Sequence, residues 1–177
     1  MTDFFELTKI RQSCRDYSDQ PVEREKLVKC LEAARLTPSG CNSQPWSVVA
    51  VDDPKIAAEV AKTTAQLGVN EYIAKAKAFF IILEERAKLM PAVARILDSQ
   101  YWAKGDLGAF TYALTLQAQE LGLGTCILGV FDRPKLREIL KIDNEKPIFM
   151  VVAVGYPADP KIRNKQRKNF DELVRFV

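Results

Sequence analysis

The sequence contains no histidine. This absence excludes Ser-His-Asp and Cys-His catalytic arrangements, and it removes imidazole as a general acid or base. If the protein is an enzyme, its chemistry depends on a carboxylate, a lysine or tyrosine, or a cofactor. No CxxC pair occurs either, so we expect neither a metal site nor a disulfide framework from the four cysteines, which are Cys14, Cys30, Cys41 and Cys126.

Long apolar runs and a marked charge imbalance are also lacking. No segment reaches the roughly 20 apolar residues of a membrane helix. The first residues do not show the basic-then-apolar order of a signal peptide. Lys and Arg number 26 and Asp and Glu 23, and this net charge of +3 is too balanced for a nucleic-acid-binding protein. We therefore expect a cytoplasmic protein that binds neither membranes nor nucleic acid.

The 177 residues fit a single compact domain, and no repeat or Gly/Ser linker divides them. Hydrophobic periodicity predicts alternating helices and strands, and hence an α+β domain with a modest sheet surrounded by helices. The predicted helices cover residues 4–10, 23–36, 54–67, 86–101, 106–121 and 133–140. The predicted strands cover residues 46–51, 78–83, 125–128 and 148–154.

The segment 106–121 shows the clearest helical pattern in the sequence. Asp106 is its predicted N-cap, and apolar residues occupy all sides of the helix. A helix that is apolar all round is buried, so we interpret this one as a central helix or a subunit interface. We expect Gly122 and Gly124 to end it. The preceding predicted helix contains Pro91, where a break is expected.

The first candidate binding segment is Arg-Gln-Ser-Cys-Arg-Asp-Tyr at residues 11–17. Alternate residues of an extended segment share a face, so Arg11, Ser13 and Arg15 would present two guanidinium groups and a hydroxyl together. This set suits a phosphate or another anion, because guanidinium binds oxyanions through paired hydrogen bonds. The alternative from local sequence alone is a solvated basic edge.

Three further features add candidate binding residues. The polar loop 38–46 lies between a predicted helix and strand, and it is longer than the usual connection of about 4–6 residues, although a plain connection remains the alternative. Residues 122–132 place three glycines around a short apolar strand; glycine permits close approach to a flat ligand, but it also serves caps and turns. In the tail, Lys165 and Arg167 either join the anion site of Arg11 or belong to a solvated segment.

Together these stretches resemble the nitroreductase family of flavoproteins. The Arg-x-Ser-x-Arg-x-Tyr element, the Pro-Ser-x-x-Asn-x-Gln-Pro-Trp loop and the Glu-Leu-Gly-Leu-Gly-Thr-Cys segment at 120–126 occur in the family's order and spacing. The resemblance implies a nitroreductase-like fold with a small, mostly antiparallel sheet. It also implies an intertwined homodimer with FMN at the subunit interface. The single domain would span residues 1–177, and its tail, about 156–177, would extend over the partner subunit.

The resemblance implies an enzyme of the NAD(P)H-dependent nitroreductase type. Hydride would pass from NADH or NADPH through FMN to a small organic acceptor, such as a nitroaromatic or a quinone, in a ping-pong reaction. The flavin carries this chemistry, so no side chain is expected to be catalytic. The alternative is an FMN-binding protein of the same fold with another role, dehalogenase-like or regulatory.

The same resemblance assigns FMN-binding residues. It implies that Arg11 and Ser13 bind the phosphate together with Lys165 and Arg167, and that Gln12 lies beside the phosphate or the ribityl chain.

Around the flavin ring, the resemblance places Arg15 on the pyrimidine side, where a cation stabilises the negative charge of a reduced flavin. The backbone of Leu128 and Gly129 would approach the flavin near N5, and Asn70 is a weaker candidate for a polar contact. The partner subunit would contribute the loop residues, which are Pro38, Ser39, Gly40, Asn42 and, less strongly, Gln44.

Overall fold

The computed structural model describes residues 3–65, 69–96 and 98–177. Within these residues, the helices are α1 (Phe4–Ile10), α2 (Arg24–Ala34), α3 (Pro54–Thr64), α4 (Pro91–Ala94), α5 (Ser99–Glu120), α6 (Arg133–Leu140) and α7 (Phe170–Leu173). The strands are β1 (Trp46–Val51), β2 (Ala78–Glu84), β3 (Gly124–Leu128) and β4 (Ile148–Gly155). Two short 3-10 turns cover Gly40–Asn42 and Glu71–Lys75.

The four strands form one sheet in the order β1-β2-β4-β3, and every neighbouring pair is antiparallel. The two central strands are apolar and almost wholly buried, because helices cover both faces of the sheet. Alternate residues of β2 separate the two cores. Phe79 and Ile81 pack with residues of α3 and α6 on one face, whereas Phe80 and Ile82 pack with α2 and α5 on the other. The predicted α+β class with an antiparallel sheet is confirmed.

The predicted bounds of β1, α1 and α6 are confirmed, and most other elements differ by one to three residues at an end. The predicted helix 54–67 ends at Thr64, and its last two predicted positions lie outside the described residues, as does Leu97. The predicted helix 86–101 is wrong, because only Pro91–Ala94 is helical before α5 begins. The stretch before Pro91 is irregular, because the backbone N–H groups of Ala87 and Lys88 donate hydrogen bonds to the side chains of Gln100 and Ser43.

Helix α5 begins at Ser99, about two helical turns before the predicted start at residue 106. Asp98 is its N-cap and accepts hydrogen bonds from the N–H groups of Gln100 and Tyr101. The predicted cap, Asp106, is therefore wrong: it lies inside the helix, and its carboxylate accepts from the Gly40 N–H at 3.1 Å. Helix propensity could not locate the start, because two aspartates can cap and Gly105 between them costs only about 1 kcal/mol.

In this chain α5 is buried on one side along most of its length. Leu107, Phe110 and Leu114 pack beneath the sheet, whereas the opposite face exposes small residues and a tyrosine, which are Gly105, Gly108, Ala109 and Tyr112. Farther along that opposite face, Leu116 is buried. The prediction of burial on all sides is therefore not met within one chain. At the end of the helix, Gly122 adopts φ +78° as expected of a C-terminal glycine. Gly124 does not end the helix, since it is the first residue of β3.

The segment 11–17 lies along the edge of the sheet beside β3. Ser13 forms an isolated parallel bridge with Thr125, and Tyr17 forms an antiparallel bridge with Pro157. Two strand residues must be glycine for this close approach. A Cβ atom on Gly124 would lie 2.7 Å from the Cβ of Cys14, and one on Gly155 would lie 2.7 Å from Cδ1 of Tyr17. The two glycines thus fix how the segment sits on the sheet.

We predict that Gly155→Ala destabilises the protein by about 1–3 kcal/mol, since the new methyl group overlaps the buried Tyr17 ring. Urea unfolding measures this difference. The control is Lys29→Ala on the exposed side of α2, where no buried group is displaced. That change should alter the free energy of unfolding by no more than about 0.5 kcal/mol. Equal stability of the two variants would contradict the packing described.

Candidate functional site

Arg11 carries a half-buried cation at the end of α1. Its Nε and Nη2 atoms are buried and have no hydrogen-bond partner among the described residues. Burial lowers the pKa of Arg11 from its ordinary value, because charged groups are less stable away from water. Buried donors of this kind need an acceptor. The arrangement fits an oxyanion beside the guanidinium, as the sequence predicts for this residue.

The C-terminal tail brings two more predicted cations to Arg11. Lys165 donates from Nζ to the carbonyl oxygens of Thr8 (2.8 Å) and Arg11 (2.6 Å), which lie at the end of α1. Burial and the nearby charges of Arg167 and Arg11 lower the pKa of Lys165. Lys165 therefore lies close enough to Arg11 and Arg167 to be repelled by both, and an anion beside it would relieve the repulsion.

A cavity of about 560 Å³ lies beside these cations. Its walls combine the end of α1, the middle of α5 and the tail, and the lining residues are Thr8, Lys9, Tyr112, Arg163, Asn164, Lys165 and Arg167. Four of the lining side chains are cationic, and three of these, Arg163, Lys165 and Arg167, belong to the tail. We call this cavity, together with Arg11, the basic cavity. Its size and charge suit a phosphate group and the chain attached to it.

Gln12 and Arg163 connect the segment 11–17 to the tail. The backbone N–H and Nε of Arg163 donate to Oε1 of Gln12 at 3.0 and 3.1 Å, and Gln12 donates from Nε2 to the Lys161 carbonyl at 2.8 Å. Arg163 also donates to the Ser13 carbonyl. Gln12 therefore holds the tail in place. Sequence reasoning left Arg163 out of the site, because five cations crowd residues 161–168 and nothing in their spacing distinguishes it.

A second group forms beside the end of β3. Asn70 has a left-handed backbone (φ +61°), and its Nδ2 donates to the Val130 carbonyl at 3.3 Å. That carbonyl directly follows Gly129, which is exposed and has open space where a Cβ would lie. Arg15 reaches the same place, since its Cζ lies 5.8 Å from the centroid of the Tyr72 ring. The structure thus brings Arg15 and Asn70 to the segment that follows Leu128.

The loop between α2 and β1 is held in an uncommon conformation. Cys41, Asn42 and Gln44 all have positive φ, between 48° and 53°. Left-handed backbone costs about 1–2 kcal/mol per non-glycine residue, so other interactions must fix it. Ser39 Oγ accepts the Gln44 N–H at 2.9 Å, and Gly40 donates to the Asp106 carboxylate of α5. The loop is therefore a rigid platform.

The same loop stands apart from the basic cavity in this chain. Across the described ranges, no hydrogen bond or ion pair joins residues 38–45 to Arg11, Arg15, Lys165 or Arg167. Pro38, Asn42 and Gln44 are exposed, and Ser39 is half-buried. The predicted residues therefore fall into four places. Arg11, Lys165 and Arg167 belong to the basic cavity, and Gln12 and Ser13 line a neighbouring cavity of about 670 Å³, which Arg163 also lines. The other two places are the group beside the end of β3, which we call the Asn70–Arg15 group, and the loop.

Three of the four cysteines are buried, whereas Cys41 is exposed in the loop between α2 and β1. Burial raises the pKa of the Cys14 and Cys126 thiols, so both stay protonated near neutral pH and pack in the core.

Residues 3–65, 69–96 and 98–177 contain no cluster of three or more His, Cys, Asp or Glu side chains that could hold a metal ion. Among the described helices, none combines the length and the apolar composition that a membrane-spanning segment requires.

Comparison with known proteins gives consistent matches. The Nitroreductase family model matches residues 8–156. A protein of Archaeoglobus fulgidus with a provisional NADH dehydrogenase/NAD(P)H nitroreductase name is 32% identical over 155 residues, which cover 85% of this chain and 83% of the relative.

Two solved structures from Clostridium difficile are also similar. A nitroreductase family protein is 27% identical and superposes with a TM-score of 0.81, covering 99% of this chain and 98% of the other. A structure described as an FMN-dependent nitroreductase is 26% identical, with a TM-score of 0.74 and 98% of both chains covered.

The unpartnered Arg11 guanidinium predicts that inorganic phosphate raises the melting temperature of ligand-free protein by several degrees, because the anion binds only the folded state. In Arg11→Met this response should be lost. Without phosphate the variant should be at least as stable as the wild type, since an uncompensated cation has been removed. Differential scanning fluorimetry measures both effects.

The matched control for this test is Arg35→Met, because Arg35 is exposed and paired with Glu32. It should keep the full phosphate response. An identical response in the Arg11 and Arg35 variants would contradict an anion site at Arg11.

Proposed function

The chain belongs to the nitroreductase family, and on that premise we propose that it is an FMN-dependent oxidoreductase. It takes hydride from NADH or NADPH and reduces a small organic acceptor, such as a nitroaromatic or a quinone, in a ping-pong reaction. The absence of histidine is compatible with this function, because the cofactor carries the electrons and water can supply protons. The balanced charge and the protonated core thiols suit a cytoplasmic enzyme.

The observation that carries the proposal is the pair of buried, unpartnered donors on the Arg11 guanidinium, Nε and Nη2, which belong to the residue where Lys165 of the cavity wall is anchored. An FMN phosphate carries negative charge and several acceptor oxygens, so it would provide the hydrogen-bond partners that these donors lack. Arg11, Ser13, Lys165 and Arg167 would hold it. Gln12 would support the phosphate site indirectly, since its side-chain amide already forms hydrogen bonds with Lys161 and Arg163 of the tail.

The Asn70–Arg15 group suits the ring of the cofactor. When bound, FMN supplies an isoalloxazine ring that accepts hydride from NAD(P)H and returns the electrons to the acceptor. Arg15 would supply a positive charge for the pyrimidine side of the ring and stabilise negative charge there. The backbone at Leu128 and Gly129 would form a wall of the ring site, since the exposed glycine leaves space for a flat ligand. Asn70 fixes this wall through Val130.

We also infer that the active form is a homodimer. Helix α5 exposes a face of small residues, and the tail exposes large apolar side chains, which are Phe170, Leu173, Val174 and Phe176. Both surfaces suit contact with a second copy, and an obligate interface buries well over ~2,000 Å². The loop at 38–45, which stands apart from its own chain's basic cavity, would complete the partner's flavin site. Residues 156–177 would extend over that partner from a single domain spanning 1–177.

We predict that the purified protein shows the visible absorbance bands of bound flavin and that NADH or NADPH bleaches them under anaerobic conditions. Adding a quinone should restore the bands, and steady-state plots at several acceptor concentrations should give parallel lines. Bound flavin that neither cofactor reduces would overturn the oxidoreductase proposal and favour a binding role. A protein that takes up no FMN would overturn the site as well.

The dimer proposal predicts that Ala109→Arg, on the small-residue face of α5, gives a monomer of 20.0 kDa that loses FMN. A long cation there prevents close packing of the two helices, and the partner's loop is then lost from the site. Light scattering after size exclusion measures the mass. The control is Ala58→Arg on an exposed part of α3, which should remain a dimer with FMN. A wild-type monomer that retains FMN would contradict the split site.

A further inference from the structure

Tyr72 contacts two residues of the proposed flavin-ring site, Arg15 and Asn70, although it does not belong to the predicted set. It lies in the 3-10 turn Glu71–Lys75, and the buried Ile73 next to it anchors that turn in the core. The Tyr72 ring faces Arg15, and its hydroxyl contacts Asn70. Asn70 in turn contacts Val130, which follows Gly129. One side chain thus joins the cationic, amide and backbone parts of the site.

The ring of Tyr72 restrains Arg15. The Arg15 guanidinium carbon lies 5.8 Å from the ring centroid, within the range of a cation–π interaction. Arg15 is exposed, and among the described residues it forms no ion pair and no side-chain hydrogen bond. A long arginine side chain with such freedom would occupy many rotamers. The contact with Tyr72 is therefore what holds its charge at one place in this chain.

The hydroxyl of Tyr72 has a separate task. It donates to Oδ1 of Asn70 at 2.8 Å, which leaves the amide nitrogen of Asn70 to donate to the Val130 carbonyl. The orientation of the Asn70 amide is fixed by these two partners. The hydroxyl therefore braces the backbone after β3, while the ring restrains the cation.

We propose that Tyr72 is a positioning residue that holds Arg15 beside the flavin and so raises the reduction potential of bound FMN. The inference rests on the proposed function, because it requires FMN at this site. Reduced flavin carries negative charge on its pyrimidine side, and a cation held there stabilises the reduced state more than the oxidised state. A cation that moves freely in water does so less well, because solvent screens it.

The test is spectroelectrochemical titration of FMN bound to the intact holoenzyme. Tyr72→Leu removes the ring and should shift the reduced-to-oxidised equilibrium toward oxidised flavin by roughly threefold, the scale of an exposed cation–π contact. Tyr72→Phe keeps the ring and should restore a potential close to that of the wild type. Arg15→Met should lower the potential at least as much as Tyr72→Leu. The matched control is Phe5→Leu, which removes an exposed ring that contacts Lys9 rather than Arg15 and should leave the potential unchanged.

The double variant Tyr72→Leu/Arg15→Met separates positioning from general damage to the fold. If Tyr72 acts through Arg15, the double variant has the potential of Arg15→Met alone, because the effects of coupled residues do not add. Additive shifts, or an unchanged potential in Tyr72→Leu, would overturn the inference even with FMN bound and reduced normally. Wild-type protein that takes up no FMN would instead overturn the proposed function, so the two failures are distinct.

Discussion

The charge arrangement of this site depends on the half-buried guanidinium of Arg11. Two of its donors lie away from water without a protein acceptor, and Lys165 and Arg167 add repulsion beside it. A folded chain tolerates such an arrangement at a cost in stability, and that cost is usual at sites that bind a charged ligand. The anion that completes the site therefore also stabilises the fold, so binding and stability are linked at one residue.

The geometry of the sheet edge puts this guanidinium where the tail can reach it. Gly124 and Gly155 leave room for Cys14 and Tyr17, so the segment 11–17 lies flat against the edge. The tail then crosses the same edge, where Gln12 and Arg163 fasten it to the segment. Residues more than 150 positions apart in sequence thereby meet at one cavity, and none of the contacts that join them depends on a long-range ion pair.

The sequence predicted the features that follow from local pattern. Periodicity predicts β1, α1 and α6 with their observed bounds. The family resemblance predicts that Arg11, Lys165 and Arg167 bind one phosphate; in the structure Lys165 lies beside the other two, and their role in binding stays a prediction. Local pattern fails where a distant side chain decides the local structure. The side chains of Gln100 and Ser43 accept hydrogen bonds from the backbone N–H groups of residues 87–88, so no helix forms there. The sequence pattern predicts a helix end at Gly124, whereas this residue makes room for Cys14. Tyr72 and Arg163 gave no pattern of their own, because their contacts exist only in three dimensions.

The most direct test compares the affinities of the ligand-free protein for FMN and riboflavin by fluorescence titration. The two ligands share the ring and differ by the phosphate, so their ratio isolates the contribution of the basic cavity. Two charge-assisted hydrogen bonds contribute about 1.5–3 kcal/mol each, and we therefore predict that FMN binds at least roughly 100-fold more tightly. Arg11→Met should remove most of that preference. Equal affinities for FMN and riboflavin in the wild type would contradict the account.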